Sequence, residues 1–337
     1  MTAPATLPLV SVIVPSRNRR ELLRATLESL LAQDYPAERT ELIVVDNRSR
    51  DGTAEMVAEL AARAGREIRF ALGPDRGPAP SRNLGARLAL GEILAFTDSD
   101  CIPAPGWLAA AVAAFQAGER VGLVCGPVGM PGVRDPLADL PLRAKGLWID
   151  RENPFYPTAN VLYTREAFWA EGGFPEDYPP QFLGELQGGD DVELAWRVKR
   201  TGRACVFAPA ARVEHAIHLV SWRRWLRTTL YFYPLGTIVR RCPEVRRSLP
   251  WRVFLPWMGA PRFKLLLLGL LLAPLTPLAL LLTVPFYHFW ARAYAPDLRR
   301  PRRWPLLLGR LAAVTFYNLV LTVVLLASSL RARSLVL

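Results

Sequence analysis

The sequence predicts an α/β domain built on a doubly wound, mostly parallel sheet, followed by hydrophobic membrane helices. Three observations lead there. Short β-branched runs alternate with helical patterns as far as Cys125. Polar clusters recur at the carboxyl ends of those runs. Two long stretches near the C-terminus carry no Lys, Arg, Asp or Glu, Leu265 to Ala291 and Leu311 to Leu330.

The strands come first. "LVSVIV" (Leu9 to Val14), "ELIVVD" (Glu41 to Asp46), "EILAFTD" (Glu92 to Asp98) and "VGLVC" (Val121 to Cys125) are short apolar runs bounded by turn residues. Between them, "RELLRATLESLLAQ" spaces its leucines at helical intervals, and "GTAEMVAELAARA" follows a turn. Such alternation argues for a parallel sheet, whose ligands bind at the carboxyl ends of its strands. The clusters "PSRNRR", "DNRSRDGT" and "DSD" occupy those ends. No GxGxxG follows the first strand and no GxxxxGK[ST] occurs, so a Gly-rich phosphate loop is excluded. The stretch from Gly126 to His218 is less regular, with a strand at "TANVLYT" and a helix from "DDVELAWRVKRTG".

The C-terminal runs reach the roughly 20 apolar residues that a bilayer crossing requires. The net charge is +12, and much of the excess brackets these runs: Arg240, Arg241, Arg246, Arg247, Arg252, Arg262 and Lys264 before them. Arg292, Arg299, Arg300, Arg302 and Arg303 lie between them. Basic residues beside membrane segments favour the cytoplasmic face and anionic lipid. A spanning hairpin would put the intervening arginines on the far side, whereas a re-entrant hairpin bent at "APLTP" would keep them cytoplasmic; both topologies stay open. Nucleic acid is not expected as a partner, because no binding motif accompanies the charge. The segment "SWRRWLRTTLYFY" reads as an amphipathic interface helix or as a surface helix packed on the domain. Four scattered cysteines indicate neither zinc nor disulfides, and the N-terminus lacks the basic start of a signal peptide. The domain is therefore expected to face a reducing cytoplasm, at the cytoplasmic membrane.

The acids carry the chemistry. Asp98 and Asp100 end an apolar run one residue apart, so both carboxylates can face one ion. Hard oxygen ligands select Mg²⁺ or Mn²⁺, which commonly complete their shell with substrate phosphates. Asp190, followed three residues later by Glu193, fits a capping box, and this leaves Asp191 without a structural duty.

At these residues the sequence resembles the family 2 glycosyltransferases of the GT-A fold. The resemblance runs through "VSVIVPSRNRRELLRATLESLLAQDYP", "ELIVVDNRSRDGT", "GPAPSRNLGARLALGEILAFTDSDCIP", "NVLYTREAFWAEGGFPE" and "GGDDVELAWRVKRTG", about residues 7 to 220. It implies transfer of a sugar from a nucleoside-diphosphate donor with inversion at the anomeric carbon. It also implies a GT-A catalytic domain over residues 1–220, with a nucleotide-sugar half to about residue 125 and an acceptor half from about 126. Residues 221–263 would then form an interface segment and 264–337 membrane-associated helices. By the same resemblance Pro15 and Arg17 border the nucleobase pocket and Asp46 hydrogen-bonds the base. Asp98 reaches the ribose or the metal, Asp100 ligates the metal, and Arg76 and Arg82 lie around the nucleotide. The family's base falls at Asp191, with Asp190 where the family has Glu. His215 stands where some GT-A enzymes have a late metal ligand, and His218 competes with it.

"SWRRW" is similar to the Gln-x-x-Arg-Trp motif of processive members, but Ser221 replaces the Gln and no membrane segment precedes the domain. A single-sugar transferase acting on a lipid-linked hydroxyl is the expectation. The alternatives are a polyprenyl-phosphate glycosyltransferase, which would need less from a base, and a non-catalytic sugar-nucleotide sensor, which the intact acids disfavour.

Overall fold

The computed structural model describes residues 7–178, 181–182, 185–186, 188–255, 259–293, 302 and 304–337. They form two compact units: Met1–Gly132, Gly146–Pro180 and Gly189–His218 in the first, and Val133–Lys145, Gln181–Gly188 and Leu219–Leu337 in the second. Arg299, Arg300 and Arg303 of the basic loop lie outside the described residues.

The first unit carries the parallel sheet. Its elements are β1 (Val10–Ser16), α1 (Arg20–Leu31), β2 (Thr40–Asp46), α2 (Thr53–Ala64), β3 (Ile68–Leu72), α3 (Pro78–Leu88) and β4 (Ile93–Phe96). β5 (Cys101–Pro103), α4 (Trp107–Gln116), β6 (Val121–Cys125), β7 (Val128–Gly129), β8 (Val161–Thr164) and α5 (Arg165–Ala170) follow. The unit closes with α6 (Asp190–Arg200), β9 (Ala204–Phe207) and β10 (Val213–His215). The seven-stranded sheet runs β9-β6-β8-β4-β1-β2-β3, with β8 alone antiparallel to its neighbours. A smaller sheet, β5-β10-β7, hangs beyond the carboxyl end of β4.

Strand side chains alternate between two cores, as the pleat demands. Val12 and Val14 of β1 and Val44 of β2 join Leu23, Leu27 and Leu30 of α1, Met56 of α2 and Trp107 of α4. Ile13, Ile43 and Val45 join Ala86 of α3, Phe168 of α5 and Leu194 of α6 on the other face. Because both faces are covered, the strands read as continuous apolar runs. Each fully buried leucine contributes about 1.5–3 kcal/mol. β3 is an addition to the strands read from sequence. It is an edge strand whose Arg69 interrupts the apolar run and pairs with Glu41 at 3.1 Å.

The second unit is helical. α7 (Trp222–Arg227) is capped by the Ser221 hydroxyl, which accepts the Arg224 N–H at 3.2 Å, and is followed by α8 (Leu235–Arg241). The first charge-free run does not form one long helix. α9 (Ala260–Leu272) ends before Pro274, a 3₁₀ segment spans Pro277–Thr283, and α10 (Val284–Ala293) resumes. Prolines remove the donors that a continuous helix would use. At about 1.5 Å per residue α9 is too short for a bilayer core of roughly 30 Å. Gly269 makes the tight return feasible, since a Cβ there would lie 2.7 Å from the Ala279 carbonyl. Among the described residues, one helix is long and apolar enough to span: α11 (Trp304–Ala332), 29 residues long, with a mean hydropathy of 2.1 over an 18-residue stretch of it. Its Asn318, Thr322 and Ser329 side chains donate to the carbonyls of Val314, Asn318 and Leu325 one turn back, which satisfies these three donors within the helix. Leu271, Leu275, Leu278, Leu281, Leu308 and Leu330 stay exposed around this helical unit.

One close approach in the first unit bears on the site. A Cβ at Gly126 would lie 2.1 Å from the Ala211 carbonyl, just ahead of β10. The same carbonyl accepts the Asn160 amide at 2.8 Å, and Asn160 is buried with its Oδ1 on the Trp107 indole N–H. Gly126→Ala is therefore expected to cost about 1–3 kcal/mol, because backbone must move. Denaturant unfolding checks this, and an unaltered midpoint would remove the account.

Candidate active site

The site is assembled from loops at the carboxyl ends of β1, β2 and β4. In-register pairing places Ser16 beside Asp46, and the two following loops lock each other. Asn18 Oδ1 accepts the Arg50 N–H at 2.8 Å, Ser49 Oγ accepts the Asn18 N–H at 2.8 Å, and Asp51 accepts the first amide of α1, Arg20 N–H, at 3.0 Å. Asp46 is buried. Its Oδ2 accepts the Ser49 N–H at 2.9 Å, while its Oδ1 has no hydrogen-bond partner. The turn-forming role and a free acceptor thus coexist in one carboxylate. Pro15 is half-buried at the end of β1. Arg17 is exposed and pairs with Asp75 at 2.7 Å, and Arg76, also exposed, reaches Glu176 at 3.9 Å.

Asp98 and Asp100 flank the turn closed by the Cys101 N–H on the Asp98 carbonyl, 3.1 Å. Asp100 is 4% exposed. Its Oδ2 lies 2.8 Å from Arg19 Nη1 and 3.0 Å from His218 Nε2, and its Oδ1 lies 3.7 Å from His215 Nε2. Burial alone would push this carboxyl's pKa up, but His215, Arg19 and His218 outweigh burial and hold it below the usual range. β10 brings His215 in because it pairs antiparallel with β5, setting His215 against Cys101. His215 Nδ1 lies 2.8 Å from the Ala216 carbonyl. A carbonyl only accepts, so Nδ1 donates and Nε2 is the ring atom that faces Asp100.

Asp100, His215 and His218 bring one ligand atom each within 4.8 Å of one another, and Asp98, Asp100 and Cys101 form a second such group. The donor set fits a divalent cation. Asp100 Oδ1 is buried without a hydrogen-bond partner, and a carboxylate with imidazoles is a donor set that takes first-row divalent ions. Arg19, with 42% of its side chain exposed, competes with a cation for Asp100 Oδ2. His218, closer to Asp100 than His215 is, belongs with the set. Arg19 was legible only as one of the arginines in "PSRNRR".

Asp98 turns the other way. Its Oδ1 lies 2.8 Å from Arg82 Nη2, and Arg82 Nη1 lies 3.7 Å from Asp190 Oδ2. Arg82 is buried on α3, 5.9 Å over the Phe174 ring. Burial would lower its pKa, but Asp98 and Asp190 keep it charged. The capping-box reading of Asp190 is corrected here. The N-cap of α6 is Gly189, at φ 118, a conformation glycine adopts without strain, and Asp190 is the first helical residue. Its side chain is buried, with Oδ2 toward Arg82. Asp191 is half-buried and accepts its neighbour Val192's N–H at 2.9 Å. Burial, reinforced by Asp190, pushes the Asp191 carboxyl up to about 7 despite Arg82. Next to Arg82, Asn83 is buried and holds the chain after α5: it donates to the Phe174 carbonyl at 2.8 Å and accepts the Phe174 N–H at 2.9 Å. Nothing in the sequence pattern singled it out.

Residues 11–172 match the family model "Glycosyl transferase family 2". Over these residues the chain belongs to this family. Among curated relatives of this glycosyltransferase family 2 member, glycosyltransferase AglE of Haloferax volcanii is 37% identical over 212 residues, 60% of this chain and 66% of that one. Validoxylamine A glucosyltransferase of Streptomyces hygroscopicus subsp. jinggangensis is 29% identical over 59% of this chain and 53% of its own. The chain thus spans about half to two thirds of the length of these curated relatives. Among solved structures, the mannosyltransferase PcManGT from Pyrobaculum calidifontis, in complex with GDP-Man and Mn²⁺, superposes with a TM-score of 0.55 at 25% identity. That likeness covers 94% of this chain and 88% of the other. The fold is GT-A-like.

Arg82→Ala would leave Asp190 buried, and Asp98 half-buried, without their cation. Removing one partner of a buried ion pair costs about 3–5 kcal/mol. A thermal midpoint clearly below that of the parent is expected. Arg82→Lys should recover part of it, because one ammonium cannot serve both acids as the planar fork does. Equal midpoints in all three proteins would show the pair to be idle.

Proposed function

We propose that this family 2 member is an inverting glycosyltransferase that moves a sugar from a nucleoside-diphosphate donor to a lipid-linked hydroxyl at the cytoplasmic membrane face. The observation that carries the reading is the pairing of two carboxylate sites in one unit. One, at Asp98 and Asp100, is cation-ready. The other, at Asp190 and Asp191, is joined to it through Arg82. The Mn²⁺ and GDP-Man of the Pyrobaculum calidifontis neighbour support a metal and a sugar nucleotide here. The exposed leucines and α11 of the second unit support a membrane location.

In this reading the free Oδ1 of Asp46 accepts an N–H of the donor base, with Pro15 and Arg17 bordering the base. Arg76 and Arg82 lie around the nucleotide. Asp98, Asp100, His215 and His218 would hold Mg²⁺ or Mn²⁺. A cation bound there neutralises the departing diphosphate. Asp191 accepts the proton of the acceptor hydroxyl as that oxygen bonds to the anomeric carbon and the carbon–phosphate oxygen bond breaks. The new bond forms opposite the old one, so the configuration inverts. A carboxyl with its pKa near 7 suits a base, being both deprotonated at working pH and basic enough to take a proton.

The sign of the pH dependence follows. The base works deprotonated, so transfer should rise with pH up to about 7 and level off above it. Asp191→Asn should lower transfer about 10²–10⁴-fold with donor affinity nearly unchanged. Asp190→Asn removes the like charge that raises Asp191, so its profile should rise at lower pH than the parent's. Initial rates across pH for the three proteins decide this, and a flat parental profile would remove Asp191 from the role.

The metal is tested separately. Mn²⁺ should strengthen donor binding measured by calorimetry, and chelation should reverse it. Asp100→Ala should abolish the response while the protein remains folded. Persistence of the Mn²⁺ response in that variant would sink the assignment.

A further inference from the structure

We infer that the second unit carries a phosphate-binding site formed by Arg143, Lys145, Arg224 and Tyr231, which takes the phosphate of a lipid at the membrane surface. The inference deepens the lipid-linked acceptor reading and rests on it. Tyr231 Oη lies 3.1 Å from Lys145 Nζ and 3.4 Å from Arg224 Nη2. Both cations can only donate, so the phenol oxygen accepts from each and its own O–H proton must point to a further acceptor. The Lys145 ammonium sits 4.5 Å over the Tyr231 ring, which fixes it in place.

Arg143 is set just as firmly. Its Nη1 donates to the Val220 carbonyl at 2.6 Å, while its own carbonyl accepts the Val220 N–H at 3.1 Å. Its guanidinium lies 5.2 Å over the Trp222 ring. Arg143 and Lys145 are half-buried, and among the described residues no carboxylate pairs with either. Half-buried cations held by rings and a carbonyl, with donors to spare, match an acceptor-only ligand of high negative charge. Phosphate is such a ligand, and the arginine fork suits its oxygens. The apolar side chains of Leu219 and Trp222, 69% and 54% exposed, place a lipid tail's environment beside the cluster. A phospholipid headgroup and the phosphate of a lipid-linked acceptor share this chemistry.

The test uses the full chain in neutral maltoside micelles, with calorimetric titration of farnesyl monophosphate and of farnesol. The monophosphate should bind, and farnesol should bind about tenfold more weakly or not at all. Lys145→Gln and Arg143→Gln should each weaken the monophosphate about tenfold with the thermal midpoint unchanged, and Tyr231→Phe should weaken it less. Equal binding of phosphate and alcohol, or parental affinity in both Gln variants, would overturn the site. If a variant fails to fold, Arg143→Lys, which keeps the charge but loses the fork, replaces it and should lie between parent and Gln. Phosphatidylglycerol added to the micelles separates the sources. Full displacement assigns the site to bilayer headgroups, and retention of the monophosphate assigns it to the acceptor; both sustain a phosphate site. Mn²⁺-dependent nucleotide binding is read in the same samples. Its loss in the parent with monophosphate binding intact would count against the donor reading alone.

Discussion

The first unit's site depends on one buried guanidinium. Arg82 leaves the middle of α3 and meets Asp98 at the end of β4 and Asp190 at the start of α6. Without it, a buried Asp190 and a half-buried Asp98 would repel each other with no cation between them. Such a link is a weak source of stability, since desolvation offsets most of the attraction. Its value lies in geometry. It ties the acids of the donor side to those beside the proposed base, and it keeps Asp191 from rising further than about 7.

Much of this was readable from residue order. The parallel sheet follows from β-branched runs alternating with helical periods, and the acids of "DSD" announce themselves because an apolar strand has no other reason to end in two. The clusters around Asp100 and Asp190 were harder. His218 and Arg19 reach Asp100 only through the fold, one from beyond β10 and the other from the start of α1. The Asp190 error has a clear cause. An acid three residues before Glu193 satisfies the capping pattern, but Gly189 takes the left-handed turn into the helix and frees Asp190 to face inward. Local pattern yielded to a long-range ion pair.

The C-terminal part shows how composition and conformation separate. Two charge-free runs look alike on a hydropathy scale. Pro274, Pro277 and Pro285 break the first into short segments that fold back after Leu272 and pack against Gly269, whereas the second lacks internal proline after Pro305 and continues for 29 residues. The number of apolar residues states what a segment tolerates around it, and the prolines and glycine determine the shape it takes there.

Arg82 and Asn83 are adjacent on α3, and each reaches a different part of the first unit. The arginine holds the acids. The asparagine grips both backbone groups of Phe174 and donates to Glu176 at 2.9 Å. The segment around Phe174 is therefore not an independent module. Replacing that segment alone would strand the Asn83 amide unless α3 changed with it, and replacing α3 would disturb the acids. Helix and segment therefore form one structural block, and a change in either is felt by both.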